Sequence, residues 1–165
     1  MNLPKRKLNR LNGYDYSTPG AYFVTLCTQG RKIFFEIESV GNDLCVVPPQ
    51  NQCIHKWIRE TETKFKNIKI DKYVIMPNHL HMIVVITERH TSRSLHDVMR
   101  WFKTMVTNEY MVLVKSGICK PFERKLWQKS YHDHIIRNEQ DYLKLWEYID
   151  INPHKWKDDC FYLEP

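Results

Sequence analysis

The chain has 165 residues, a formal net charge of +6 and five cysteines, and no apolar run nears the roughly 18 residues that cross a bilayer. That length suits one domain, read here as spanning 1–165 with a basic arm over 1–19, and it excludes neither an enzyme nor a binding module. The odd cysteine count, without any CxxC pair, argues against a disulfide framework or a cysteine zinc site and for reduced thiols in a cytosol. The arm "MNLPKRKLNRLNGYDYS" is basic but lacks the apolar stretch of a secretory signal.

Taken in chain order, "GAYFVTLCT" (Gly20–Thr28) is β-branched and aromatic and reads as a strand. The following segment is turn-rich, and Pro48-Pro49 is expected to stop regular structure. A helix is predicted over Gln52–Phe65, with Ile54, Trp57 and Ile58 on its buried side. A strand over Asn67–Met76, a Pro77-Asn78 turn and a strand over His79–Thr87 predict an antiparallel hairpin. Ser94–Gly117 is the clearest helix, with Ser94 as N-cap, Asp97 in the first turn and Gly117 as the stop. Its apolar stripe includes Leu95, Val98, Met99, Phe102, Val106 and Tyr110. A strand over Ser130–Arg137 and a helix capped by Asn138 and ended by Asn152-Pro153 complete the chain. The order β, α, β-β, α, β, α predicts an α+β fold with helices packed on an antiparallel sheet.

His79 and His81 interrupt the apolar pattern of the second hairpin strand. Side chains two apart on a strand share a face, so the imidazoles stand side by side, spaced to bridge one divalent ion. An arbitrary His-x-His is more often structural. Here both follow a Pro-Asn turn within a strongly apolar strand, where unpaired polar groups are costly. Basic clusters at Lys5–Arg10, Lys64–Lys72, Lys115–Lys129 and Lys155–Lys157, interleaved with aromatics, suit nucleic acid; an ordinary basic surface is the competing reading.

The segment "MPNHLHMIVVI" resembles the His-hydrophobic-His (HUH) motif of single-tyrosine transposases. "GYDYSTPGAYFVTLCTQ", "SLHDVMRWFK" and "LWQKSYHDHIIRNEQDYLKLWEYIDINPHKW" extend the resemblance to the REP-associated tyrosine transposase branch, over nearly the whole chain. The resemblance implies a ferredoxin-like or RRM-like sheet with the motif on a central strand. It implies that His79 and His81 bind Mg²⁺ or Mn²⁺, that a tyrosine attacks single-stranded, hairpin-associated DNA, and that a 5′-phosphotyrosine and a free 3′-hydroxyl result. It further implies a bacterial cytoplasmic, nucleoid-associated protein, a homodimer in many relatives and a monomer in some.

In such transposases the nucleophile lies on a helix after the HUH strand, and an Asn or Gln one turn later often completes the metal site. Tyr110 is the tyrosine of the helix after the hairpin, but Val114 stands one turn on. Tyr131, beside His132 and His134, is the alternative. Asn108, Glu109 and Gln128 are candidates for the third ligand. Lys5, Arg6, Lys7, Arg10, Trp127, Gln128 and Arg137 are the expected DNA contacts, with Trp127 also fitting a core position. Two other functions compete: a non-catalytic DNA-binding relative, and a metal-dependent nuclease that uses water and forms no covalent adduct.

Overall fold

The computed structural model describes residues 13–38, 47–89 and 94–162. Lys5, Arg6, Lys7 and Arg10 lie outside these residues. Four strands, β1 (Gly20–Cys27), β2 (Ile68–Met76), β3 (His79–Ile86) and β4 (His132–Ile136), form one antiparallel sheet in the order β2-β3-β1-β4. Helix α1 (Pro49–Lys64) links β1 to β2, α2 (Leu95–Lys115) links β3 to β4, and α3 (Glu139–Ile151) follows β4. A 3₁₀ turn, Asn152–Asp158, extends α3. This is the ferredoxin-like β-α-β-β-α-β order with one added helix, and the histidine-bearing strand β3 is central.

Strand alternation gives the sheet two different faces. Leu80, Met82, Val84 and Ile86 of β3 join Tyr22, Val24 and Leu26 of β1 in the apolar core. Ile54 and Ile58 of α1 and Val98, Met99, Phe102, Val106 and Tyr110 of α2 close that core from one side. His79 and His81, at the alternate positions of β3, face the other side, together with Phe23 and Thr25 of β1.

Two helix ends follow directly from local chemistry. Pro48-Pro49 does not stop regular structure: Pro49 occupies the first turn of α1, where its missing N–H has no partner to lose. The helix therefore starts three residues before the expected Gln52. At α2, the Ser94 backbone N–H and hydroxyl both donate to the Asp97 carboxylate, at 3.1 and 3.0 Å. Gly117, at φ 72°, ends that helix in a left-handed conformation that suits glycine.

Helix α3 is held differently. A β-bulge between Ile70 and Lys72 leaves Asp71 without a register partner on β3. Tyr142 of α3 donates to the Asp71 carboxylate, and the Lys72 ammonium lies 2.6 Å from Asp150 and 4.1 Å from the Trp146 ring centroid. Ile149 is the one fully buried residue of α3, so polar anchors supply much of its docking. Among the described residues, no helix is long and apolar enough to cross a membrane.

Candidate metal and nucleophile site

The tight turn at Pro77-Asn78 starts β3 at His79 and sets His79 and His81 on one face, with ring centroids 4.4 Å apart. Both are buried, at 0% and 1% exposure. The Asn78 amide fixes the first ring. Its NH₂ donates to the carbonyls of Arg31 (3.2 Å) and Phe161 (2.8 Å), so its oxygen is the atom that faces His79 Nδ1 at 2.8 Å. Nδ1 therefore carries the proton and Nε2 presents a lone pair. Thr25 Oγ1 lies 2.8 Å from His81 Nδ1, and with Nδ1–H donating to it, His81 also presents Nε2. A ligand histidine held through its second nitrogen is the arrangement metal sites use.

Asp159 completes the cluster. One donor atom from each of His79, His81 and Asp159 lies within 4.8 Å of the others, and Asp159 Oδ2 is 3.9 Å from His79 Nε2. Its carboxylate accepts from Asn152 Nδ2 at 2.9 Å and from the Phe161 backbone N–H at 2.6 Å. Among the described residues, two buried acceptors in this cluster, His79 Nε2 and Asn152 Oδ1, have no hydrogen-bond partner, and a buried acceptor without a donor is costly. A divalent cation would satisfy such acceptors, and two imidazole nitrogens with a carboxylate or amide oxygen make a donor set for one. The residues present fit the ion. Burial pushes the His79 pKa down to about 4, against the opposing pull of Asp159. It pushes His81 well below the usual histidine range, helped by His79. Both rings are neutral donors at pH 7.

Tyr148 of α3 stands beside the cluster. Its hydroxyl is 3.4 Å from His81 Nε2 and 3.3 Å from Asp159 Oδ2. Burial, then the Asp159 charge, pushes its pKa up to about 12, so the phenol keeps its proton at neutral pH. Asn152 lies one helical turn later, on the same side. Phe161 and Trp156 cover His79, with ring centroids at 4.7 and 5.9 Å, and Arg31 sits 5.1 Å above the Phe161 ring.

The structure brings His79 and His81 together and leaves the expected tyrosines elsewhere. Tyr110 is 1% exposed in the core on the opposite sheet face, packed on Phe34, Phe35 and Phe122, and donates to the Lys120 carbonyl at 3.2 Å. The apolar stripe of α2 pairs with the apolar face of the sheet, so Tyr110 does not face the histidines. Tyr131 belongs to the same core and stacks on His96. Of the expected third ligands, Asn108 and Glu109 lie on α2, Glu109 being paired with Lys56 and the Trp57 indole. Gln128 sits in the segment that lines a groove against α2. Trp127 is 4% exposed and stacked on Phe35 at 5.4 Å, the core position that the sequence also allowed. Arg137 is exposed just after β4. Tyr148, Asn152 and Asp159 were not singled out by sequence, although Tyr148 and Asn152 have the tyrosine-then-amide spacing of one turn.

An antiparallel ferredoxin-like sheet with paired histidines on its central strand, and Tyr148 of α3 beside them, is the arrangement of a class, the transposases of the IS200 type. The family model described as "Transposase IS200 like" matches residues 21–152, and the chain belongs to that family. An uncharacterized protein of Haemophilus influenzae is 31% identical, over 96% of this chain and 94% of its own. A second protein of that organism, named "Putative REP-associated tyrosine transposase", is 24% identical over 86% of this chain and 74% of its own. The solved structure of a REP-associated tyrosine transposase bound to a REP hairpin superimposes with a TM-score of 0.55 at 21% identity, covering 89% of this chain and 73% of that one. The likeness establishes the shared fold.

Proposed function

We propose that this protein cuts and rejoins single-stranded DNA beside a hairpin, with Tyr148 as the nucleophile. The observation that carries the reading is the convergence of the Tyr148 hydroxyl, two neutral imidazoles and the Asp159 carboxylate in one buried cluster. His79 and His81 would hold a divalent ion, with Asn152 Oδ1 as the oxygen donor, leaving Asp159 Oδ2 to act as base. When bound, Mg²⁺ or Mn²⁺ polarises the scissile phosphate and offsets the charge that builds on its oxygens.

The remaining work falls to the chain. Tyr148 Oη forms a bond to phosphorus, the bond from phosphorus to the 3′ oxygen breaks, and the 3′ oxygen leaves as a hydroxyl by taking up the proton that Asp159 receives from Tyr148. Asp159 Oδ2, 3.3 Å from the phenol, accepts the Tyr148 proton. Asn78 and Thr25 keep Nε2 of each histidine turned into the site. The product is a 5′-phosphotyrosine at Tyr148. Attack on it by a 3′-hydroxyl reverses the bond exchange, so rejoining consumes no nucleotide. The DNA preference follows from the net charge and from the hairpin bound by the REP-associated relative.

The test is incubation with hairpin oligonucleotides carrying single-stranded flanks, with Mn²⁺ or with EDTA, followed by a denaturing gel. Expected is a metal-dependent covalent protein–DNA adduct and a released strand ending in a 3′-hydroxyl. Cleavage without any adduct would favour water as the nucleophile; binding without cleavage would favour a non-catalytic relative.

A further inference from the structure

After β1 the chain turns sharply, and two consecutive residues, Gly30 (φ 66°) and Arg31 (φ 55°), lie in the left-handed region. Glycine takes that conformation freely, but arginine is held in it at a cost. Strain of this kind persists where the surroundings impose it, and it gathers at functional sites. Here the backbone of the residue is tied at both ends. The Arg31 N–H donates to the Thr28 carbonyl at 3.1 Å, and the Arg31 carbonyl accepts from Asn78 Nδ2 at 3.2 Å, the amide that orients His79. The side chain is thereby carried to the rim of the histidine site. Its guanidinium lies 5.1 Å from the centroid of the Phe161 ring, and that ring is 4.7 Å from His79 and 6.0 Å from His81.

We infer that Arg31 binds the DNA phosphate next to the scissile one, in the place where its guanidinium now meets the Cys160 carbonyl and the Phe161 ring; the inference rests on the function proposed above. Three observations carry it. The guanidinium has donors to spare: among the described residues its side chain donates one hydrogen bond, to the Cys160 carbonyl at 3.2 Å, and enters no ion pair, whereas the group carries five N–H donors in a fork that matches phosphate. The nearby Asp159 carboxylate is engaged by Asn152, Tyr148 and the Phe161 N–H instead. A fixed positive charge beside a site for a divalent cation is unfavourable unless an anion lies between the two. Arg31 meets the histidines through the Phe161 ring and not directly, so it suits the neighbouring phosphate and leaves the scissile one to the ion. A half-buried position gives such a contact more weight than the same pair in open water. The competing role, a latch that only pins the turn carrying Cys160 and Phe161, would be indifferent to the charge of the DNA.

The test uses that difference. In tailed hairpin oligonucleotides, one phosphate at a time on either side of the scissile one is replaced by an uncharged methylphosphonate. The rate of covalent adduct formation with Mn²⁺ is measured for wild type, Arg31→Gln, Arg31→Lys and a control, Arg59→Gln, at an exposed position of α1. Rates are normalised to folded protein. In wild type and in the control, one neighbouring methylphosphonate should slow the adduct by about 10- to 100-fold, the loss of one charge-assisted contact. Arg31→Gln should lose a similar ~10- to 100-fold on all-phosphate DNA, and the same methylphosphonate should then slow it by less than about 3-fold. Arg31→Lys keeps the charge without the fork and should fall between wild type and Arg31→Gln. Equal methylphosphonate penalties in wild type and Arg31→Gln at every position would overturn the assignment of Arg31 while leaving the proposed function standing. A wild-type protein that forms no adduct with any hairpin would overturn both.

Discussion

Replacing Tyr148 by Phe removes one oxygen and leaves the ring in place against Phe23 and His81. The hydroxyl makes two long contacts, 3.3 Å to Asp159 and 3.4 Å to His81, so the variant should lose no more than about 1 kcal/mol of stability. For a chain of this size that is a shift of roughly 2–4 °C in Tm. The chemical effect is of another order, because no atom remains to bond to phosphorus, and the adduct should fall below detection while hairpin binding stays within about 3-fold. Tyr110→Phe is the matched control. It removes a hydroxyl donated to the Lys120 carbonyl in the core, costs a similar ~0.5–1.5 kcal/mol, and should leave adduct formation at the wild-type rate once folded protein is normalised. The assay is a denaturing gel of protein with a labelled hairpin and Mn²⁺, then mass mapping of the adducted peptide. An adduct that persists in Tyr148→Phe and maps to Tyr110 or Tyr131 would refute the assignment.

Three further outcomes are expected. Mn²⁺ at 100 times its Kd should stabilise the wild type by about 2.7 kcal/mol, a rise of several degrees in Tm, and His79→Ala should abolish that rise; an unchanged rise would place the ion elsewhere. The Tyr142 hydrogen bond, then Lys69, holds Asp71 below the usual carboxylate range; such a group stabilises the fold above its unfolded pKa of about 3.9 and loses that contribution as pH falls through the folded value. The stability gap between wild type and Asp71→Asn should thus be constant from about pH 5 to 8 and close below about pH 4, as read by urea unfolding; a gap that widens in acid would contradict it. Trp127→Ala should cost about 3–5 kcal/mol as a core truncation, measured by thermal unfolding, rather than lowering DNA affinity in a protein of unchanged Tm.

Much of the architecture was legible because it follows from short-range rules. The two-residue period of "HLHMIVVI" set His79 and His81 on one face, and Ser94, Gly117 and Asn138 marked helix ends through hydrogen bonding and backbone conformation that need no tertiary context. The proposed nucleophile was less accessible for a definite reason. The stripe of α2 announces that Tyr110 is buried, but a sheet has two faces, and the sequence of a helix does not say which one it covers. The apolar residues of β1 and β3 decide that, because Tyr22, Val24, Leu26, Leu80, Met82 and Val84 form the larger apolar surface. Asp159 was hidden for another reason: it reaches His79 across 80 residues of chain through a 3₁₀ turn with no strong sequence period. The pair Tyr148 and Asn152 was readable, since it matches the expected one-turn spacing on the final helix.

The two faces also bear on the proposal that the reacting tyrosine is on α3 and not on α2. The histidines are sealed, at 0% and 1% exposure, so a phosphate reaches them only if something covering them moves. Helix α2 buries six residues in the core, each fully buried apolar side chain contributing about 1.5–3 kcal/mol, and shifting it would open the apolar interior. Helix α3 fully buries Ile149 and is otherwise anchored through Asp71, Lys72 and Asp150, contacts worth about 1 kcal/mol or less each where water reaches them. Phe161 and Trp156 cover the site from a short turn, not from a layer of the core. Local opening draws on the elements with the fewest buried apolar contacts. In this fold those elements are α3 and the turn after it, which carry Tyr148, Asn152 and Asp159. The sheet beneath keeps His79 and His81 fixed, so under the proposed function DNA would be admitted, and the Tyr148 oxygen returned to it, without unfolding the half of the molecule that holds the two histidines.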